Sequence, residues 1–296
     1  MKPVAALLAV QVFFGSLPVI GKVVLAVIPA LALVGFRVGL TAAVLFIVQA
    51  FRGRLWLKDR SDYKRLAVLS LFGVVFNQYL FIGGLSFTKA SNTSLLAVTI
   101  PIFTIAIGAM IGTERLRLKK AIGIFLAALG VVILIDPRNA SFSSDTTLGD
   151  IMIVLNSLSY GIYVATSKEI ITRNGPFRSM MWVFIFASVI CVPIGLFSMS
   201  GVEAVVAPTI WLLVIYIAMV ATAGPYLLNA YAIAKVSAST VAVFIYLQPL
   251  IGFILAAIFL GETIDLKFAI AAVLVFIGVF FATRTSSQPS KKDQSG

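Results

Sequence analysis

The feature that most constrains this chain is a succession of apolar segments, each about as long as a helix that crosses a lipid bilayer. The hydrocarbon core of a bilayer is about 30 Å thick, and a helix needs about 20 apolar residues to cross it. Short polar stretches separate ten such segments, which we predict at residues 4–26, 30–51, 64–86, 92–112, 119–136, 148–171, 177–199, 208–234, 239–260 and 267–284. The sequence therefore predicts an all-α integral membrane protein with ten transmembrane helices.

The composition excludes several classes of function. Apolar residues make up 60% of the chain and charged residues 11%, whereas an ordinary soluble domain has about 25% charged residues. The chain has no histidine, which is the commonest general base and metal ligand. Its single cysteine, Cys191, lies in an apolar run and has no partner for an intramolecular disulfide. We therefore expect no enzymatic activity, no metal and no other cofactor.

The basic residues mark one face of the membrane. All but five of the 23 lysines and arginines lie on the side of the N-terminus, in the termini, in the loops or at the adjoining ends of the spans; the exceptions are Lys22, Arg37, Lys89, Arg138 and Lys267. Basic loops stay in the cytoplasm, so we predict a multi-pass protein of the cell inner membrane with both termini cytoplasmic. The positive charges lie in short runs between apolar segments, a pattern that does not indicate a nucleic-acid partner.

The two halves of the chain repeat each other. At an offset of 146 residues, Gly15 and Lys22 correspond to Gly161 and Lys168. At an offset of 148, Pro101, Glu114 and Gly130 correspond to Pro249, Glu262 and Gly278. Each half has an odd number of spans, so the two cross the membrane in opposite senses, as in the inverted repeats of many secondary transporters. We predict a first repeat at 1–138, an extracytoplasmic linker at 139–147, a second repeat at 148–284 and a disordered cytoplasmic tail at 285–296.

These repeated motifs resemble a known family. The first half has Ser-Asn-Thr-Ser at 91–94, Pro101 and Gly-Thr-Glu at 112–114, and the second has Ser-Ala-Ser at 237–239, Gln-Pro at 248–249 and Gly-Glu-Thr at 261–263. The pair is similar to the two tandem EamA domains of the drug/metabolite transporter superfamily. The resemblance implies ten helices, cytoplasmic termini, and transport of small metabolites such as amino acids by alternating access. Two departures are Thr113, where a glycine is usual, and the lack of a second-half counterpart of Arg37.

Charged groups inside or at the ends of the spans are the first site candidates, because an ionisable group in a bilayer is costly. Arg37 could bind a substrate carboxylate or phosphate, or it could form a structural ion pair or extend towards the outer interface. Lys22 and Lys168 could act at a gate or extend towards the head groups. Glu114 and Glu262 could cap helices, form salt bridges or act at a gate. Pro101, Pro225 and Pro249 could be hinges for alternating access or static kinks.

Neutral polar and aromatic groups form the second set of candidates. A buried amide or phenol needs a hydrogen-bond partner, so each of them faces either a wet pathway or a neighbouring helix. They are concentrated in spans one, three, six, eight and the start of nine. The predicted substrate-binding set, besides Arg37, is Gln11, Asn77, Tyr79, Asn156, Tyr160, Tyr163, Tyr226, Asn229, Tyr246 and Gln248.

The resulting hypothesis is a secondary transporter that moves small metabolites, amino acids first, by alternating access and in the direction of export. A nucleotide-sugar or phosphate-ester carrier of the same superfamily is one alternative, and a non-transporting membrane helper subunit is another. The predicted partners are a small-molecule substrate and the lipid bilayer, with the protein as a monomer or homodimer.

Overall fold

The computed structural model describes residues 2–88, 90–114, 118–135, 145–200, 206–260 and 266–284. The regular structure in these ranges is helical, without strands. The first half has helices α1 (Pro3–Leu25), α2 (Ala30–Phe51), α3 (Ser61–Phe87), α4 (Ala90–Leu96), α5 (Thr99–Met110) and α6 (Leu118–Ile135). The second half has α7 (Thr147–Thr166), α8 (Lys168–Asn174), α9 (Pro176–Met199), α10 (Pro208–Ile233), α11 (Ala238–Val243), α12 (Leu247–Leu260) and α13 (Leu266–Arg284).

The prediction of a helical membrane protein is confirmed. Of the helices in the described ranges, six are long and apolar enough to cross a bilayer, namely α2, α3, α7, α9, α10 and most of α13. Shorter apolar helical stretches lie at Pro3–Leu17, Thr99–Met110 and Ala238–Ile251. The helices follow the ten predicted segments closely, although the fourth and ninth segments are each broken into two helices and the sixth ends as a separate helix, α8. The number of helices that cross the membrane stays a prediction.

Two of the predicted segments are broken at corresponding places. In the first half, α4 ends at Leu96 and α5 begins at Thr99, shortly before Pro101. In the second half, α11 and α12 are joined by a short 3₁₀ turn, Phe244–Tyr246, shortly before Pro249. A proline cannot donate a backbone hydrogen bond and collides with the carbonyl four residues earlier, so it disrupts the turn before it. The repeated prolines therefore account for the repeated breaks.

The contacts between the halves come in matching pairs. Helix α1 packs against α10 and α12, and its counterpart α7 packs against α3 and α5. Helix α2 packs against its own counterpart α9, and α6 against α13. Exchanging the two halves therefore maps each of these contacts onto another of them or onto itself, as a two-fold relation between the repeats requires.

Glycines allow the self-matched pairs to approach closely. A Cβ atom on Gly35 of α2 would lie 2.8 Å from the Cα atom of Gly195 in α9. A Cβ atom on Gly123 of α6 would lie 2.6 Å from the carbonyl oxygen of Gly278 in α13. Small residues at membrane helix interfaces let backbones touch in this way. Each of these two crossings joins a helix of the first half to its counterpart in the second.

The loop between α2 and α3 is bound to the second half. We call the membrane face at which α2 ends and α9 begins the basic face. The loop carbonyls of Leu55 and Trp56 accept hydrogen bonds from Trp182 Nε1 (2.9 Å) and Arg178 Nη1 (2.7 Å). The fully buried carboxylate of Asp62, at the start of α3, pairs with Arg173 and accepts from Asn174 Nδ2 at 2.6 Å.

Candidate functional site at the interface of the two halves

A π-helical segment, Leu71–Phe76, interrupts α3. In such a segment the backbone hydrogen bonds lose their regular spacing, and carbonyl groups at its edges become available to other donors. Three second-half side chains bind carbonyls here: Ser159 Oγ donates to Phe72 O (2.8 Å), Tyr226 OH to Gly73 O (2.9 Å) and Asn156 Nδ2 to Asn77 O (2.7 Å). The second half thus satisfies the irregular backbone of the first.

A second π-helical segment, Met219–Ala223, interrupts α10. Here the donors come from the first half, on α2. Thr41 Oγ1 donates to Ala218 O at 2.9 Å, Arg37 Nη2 to Ala221 O at 3.3 Å, and Arg37 Nε to Thr222 Oγ1 at 2.9 Å. The Thr222 hydroxyl in turn donates to Ile217 O at 2.7 Å. Each half therefore carries an irregular segment at mid-helix that is bound by side chains of the other half.

Arg37 is fully buried, so its side chain does not extend towards the head groups. Its Nε and Nη2 atoms bind α10, but its Nη1 atom has no hydrogen-bond partner in the part of the chain that the structure describes. No carboxylate pairs with it among the described residues. A buried charge that lacks a counter-charge is expensive in a bilayer. The arrangement is one that an anionic ligand group would stabilise.

A polar cluster centred on Tyr226 links α3 to α10. The Tyr226 hydroxyl accepts a hydrogen bond from Gln78 Nε2 at 2.9 Å and lies 3.2 Å from Asn77 Oδ1. The rings of Phe14 and Phe184 meet the Tyr226 ring edge-on, with centroids 5.9 and 5.0 Å away. The cluster is therefore polar at the hydroxyl and enclosed by aromatic rings.

The structure brings together only part of the predicted binding set. Asn77, Asn156 and Tyr226 belong to the contacts around the first π-helical segment, and Asn229 Nδ2 donates to Tyr160 OH at 2.6 Å across the α10–α7 interface. Three other members make separate contacts: Tyr79 OH lies 3.5 Å from Cys191 O, Tyr163 OH lies 3.5 Å from Met180 Sδ, and Tyr246 OH donates to Val98 O at 3.1 Å. Gln11 is buried, and its Oε1 atom has no hydrogen-bond partner among the described residues. Gln248 is half-buried.

Glu114 joins the halves at the basic face. Its Oε2 atom is 2.7 Å from Lys120 Nζ, and both side chains are 6% exposed. Its Oε1 atom accepts from the backbone N–H of Ser239, in the first turn of α11, at 3.1 Å. A carboxylate at a helix N-terminus is stabilised by the unpaired N–H groups there. Among the other gate candidates, Lys168 is exposed at the start of α8, while Glu262 and the Lys22 side chain lie outside the described residues.

Asp150 makes the corresponding connection at the opposite face, and sequence reasoning did not select it. Its Oδ1 atom accepts from Thr88 Oγ1 (2.6 Å) and Asn92 Nδ2 (3.0 Å), and its Oδ2 atom from Thr146 Oγ1 (3.0 Å). Thr41, Ser159 and Thr222 were missed as well. Their only sequence signal is position: Thr41 lies one helical turn after Arg37, and Ser159 one position before Tyr160.

Comparison with known proteins supports the reading of two repeats. The model of the EamA-like transporter family matches residues 1–136 and again residues 147–284. An uncharacterized transporter of Archaeoglobus fulgidus is 26% identical over 229 residues, which cover 77% of this chain and 78% of the relative. The uncharacterized transporter YyaM of Bacillus subtilis is 25% identical over 300 residues, 98% of this chain and 96% of the relative.

A solved crystal structure has the same fold. It superposes with a TM-score of 0.78 at 17% sequence identity and covers 99% of both chains. The family model covers nearly the whole sequence in two successive matches, and the helices that carry them are apolar enough for a bilayer. The chain thus belongs to the EamA-like transporter family of multi-pass membrane proteins.

Proposed function

We propose that this chain exports small metabolites that carry one carboxylate, amino acids first, across the cell inner membrane by alternating access. In this proposal ten helices span the membrane, the two five-helix repeats are inserted in opposite senses, and both termini are cytoplasmic. The substrate binds between the repeats, near the two π-helical segments of α3 and α10.

The observation that carries the proposal is the free edge of Arg37. A guanidinium offers five N–H donors in a planar fork, and carboxylates bind such forks with two parallel hydrogen bonds. Nε and Nη2 are engaged by Thr222 and Ala221, and the fully buried Nη1 has no partner within the described ranges. A substrate carboxylate at Nη1 would supply the missing counter-charge.

The other buried groups fit a substrate of low charge. Among the described residues, the buried basic side chains are Arg37 and Lys120, and Lys120 is already paired with Glu114. The remaining polar groups near the π-helical segments are amides, hydroxyls and phenols. One free guanidinium edge matches a single negative charge, whereas a phosphate ester or a nucleotide sugar would bring more charge than these residues can neutralise.

Contacts at both membrane faces fit alternating access. At the basic face, Asp62 binds Arg173 and Asn174, and Glu114 binds the start of α11. At the opposite face, Asp150 binds Thr88 and Asn92. Each of these contacts joins the first half to the second, so each must break when its face opens. We propose that the two groups of contacts break alternately during transport.

Transport into liposomes tests this function. Purified protein is reconstituted, and uptake of a labelled panel of amino acids, a sugar phosphate and a nucleotide sugar is measured with and without a pH gradient. We expect uptake of one or more amino acids and none of the phosphate compounds. Uptake of the phosphate compounds alone would favour the alternative carrier, and no uptake of any compound in either condition would favour the helper-subunit alternative.

Variants of α2 separate binding from anchoring. Arg37→Gln removes the charge, while Thr41→Val removes one anchor to α10 and keeps the charge. The loss of one buried ionic contact to the substrate, worth about 3 kcal/mol, is expected to lower kcat/KM by about 100-fold. Thr41→Val should retain most of the activity. Equal losses of transport in the two variants, matched by equal losses of thermal stability, would show that Arg37 only anchors α10.

A further inference from the structure

An apolar groove lies on the outer surface between α2 and α9. It has a volume of about 560 Å³ and is lined by Gly39, Ala42, Ala43, Phe46, Ile185, Ser188 and Val192. Its flanks carry large apolar side chains that are exposed, including Phe46 (46%), Ile47 (52%) and Val189 (68%). In a membrane these flanks face lipid, so the groove opens towards acyl chains.

The crossing of the two helices places this groove in one half of the bilayer. Helices α2 and α9 touch at Gly35 and Gly195, and they run in opposite directions. The lining residues follow Gly35 along α2 and precede Gly195 along α9, so the groove lies between the crossing and the basic face. Small side chains at Ala42, Ala43 and Ser188 leave the space that larger residues would fill.

Positive charge surrounds the end of the groove at the basic face. Arg52 and Arg54 follow α2 directly and are exposed, and neither forms an ion pair in the described part of the chain. Arg178 lies in the first turn of α9, seven residues before Ile185 and therefore on the same face of the helix. Three arginines thus lie at the end of α2 or the start of α9, at the level of lipid head groups.

The contacts of these arginines leave donors available. The Arg52 guanidinium lies over the Phe177 ring, 4.9 Å from its centroid, and its N–H groups have no hydrogen-bond partner among the described residues. Arg178 uses Nη1 to bind Trp56 O. Trp56 and Trp182 lie beside each other, with ring centroids 6.2 Å apart. Tryptophans of this kind mark the level of the head groups.

We propose that this groove is a binding site for an anionic phospholipid of the leaflet at the basic face. One acyl chain lies along Ala42, Ala43 and Ser188, and the phosphate and its anionic head group bind Arg52 and Arg54. Apolar space at acyl-chain depth and unpaired guanidinium groups at head-group depth together match such a lipid and do not match a neutral one. The site is separate from the one proposed for the substrate, and its occupancy can be measured without any transport.

Fluorescence quenching by brominated lipid tests the site. The chain has three tryptophans, and Trp211→Phe leaves only Trp56 and Trp182, both near the groove. The protein is reconstituted in phosphatidylcholine vesicles that contain increasing fractions of dibrominated phosphatidylglycerol or dibrominated phosphatidylcholine. We expect the phosphatidylglycerol to quench at a much lower mole fraction, with a preference of about fivefold for each arginine that contacts it. Added salt should reduce that preference.

Two variants and two controls locate the effect. Arg52→Gln with Arg54→Gln should reduce the preference by about 25-fold, which removes it. Lys119→Gln with Lys235→Gln replaces two exposed lysines elsewhere on the same face and should leave the preference intact. Ala43→Leu with Ser188→Leu fills the groove and should abolish the preferential quenching. Ala269→Leu, on the exposed surface of α13, is the matched control. Thermal unfolding in detergent verifies that each variant is folded.

Three results would overturn the proposal. Equal quenching by the two lipids in the Trp211→Phe protein would show that no anionic lipid is selected. An unchanged preference in the Arg52 and Arg54 variant would assign the selectivity to the general positive charge of the face. A stable dimer that dissociates on Ala43→Leu with Ser188→Leu, without lipid selectivity, would assign the groove to a second copy of the chain.

Discussion

Gln78 and Tyr226 are hydrogen bonded to each other at 2.9 Å and are 148 residues apart in the chain. The bond joins α3 of the first half to α10 of the second, the two helices that carry the π-helical segments. Tyr246 OH donates to Val98 O at 3.1 Å and forms a second bond between the halves.

Tyr226→Phe should destabilise the protein by about 1 to 2 kcal/mol, because it leaves Gln78 Nε2 and Gly73 O without their partner in a buried position. The measurement is reversible thermal or denaturant unfolding in detergent. Tyr79→Phe is the matched control, because its hydroxyl lies at the limit of hydrogen bonding, 3.5 Å from Cys191 O. A larger loss in the control than in Tyr226→Phe would contradict the importance assigned to the contact between the repeats.

Gly195→Ala should cost about 1 to 3 kcal/mol of stability. The new Cβ atom would lie 2.8 Å from the Cα atom of Gly35, where the backbone cannot move aside as a side chain could. Gly15→Ala is the control, since its Cβ atom would meet only Ile251 Cγ2 at an ordinary 3.6 Å. Unfolding midpoints of both variants in the same detergent decide the matter: if Gly195→Ala is neutral, α2 and α9 do not touch there.

Glu114→Gln should destabilise the protein by about 3 to 5 kcal/mol, because Lys120 then keeps a buried charge without a partner. Replacing both residues, Glu114→Gln with Lys120→Met, should recover much of this loss. Glu169→Gln breaks a solvent-exposed pair with Arg65 and should cost no more than about 1 kcal/mol. The double variant is informative: no recovery would mean that the stability lost in Glu114→Gln does not come from the unpaired charge of Lys120.

Asp62→Asn should release the loop between α2 and α3, because it removes the ion pair with Arg173 that holds the start of α3 to the second half. Limited trypsin digestion reports this, since Arg54, Lys58 and Arg60 lie in the loop. Cleavage there should be at least several-fold faster than in the wild type. Arg65→Gln removes an exposed pair on the same face and should leave the rate unchanged, and an equal acceleration in both variants would argue against a specific role for Asp62.

Much of the architecture could be read from the sequence. The apolar segments predict the helices, and the paired prolines Pro101 and Pro249 account for the matching breaks before them. The family resemblance is confirmed by a family model that matches both halves. These features are local, or they repeat in the sequence at a fixed offset, so they need no knowledge of which helices touch.

The candidate site was predicted only in part. Arg37, Asn77 and Tyr226 were chosen because polar groups are rare in apolar segments, but their partners could not be named. The π-helical segment of the first half, Leu71–Phe76, contains no proline and therefore has no sequence signal of its own. Thr41 and Ser159 were overlooked because a single hydroxyl in a membrane helix commonly binds its own backbone.

The sequence by itself determined that the chain forms apolar helices in two corresponding sets, because helix formation and the preference for lipid follow from local composition. Only the tertiary structure decided which carbonyl groups of α3 and α10 are released from helical pairing and which side chains bind them. Thr41 and Ala218 are 177 residues apart, and Ser159 and Phe72 are 87 apart. Such pairs form because a bilayer offers no water to a freed backbone group, so the donor must come from whichever helix packs beside it.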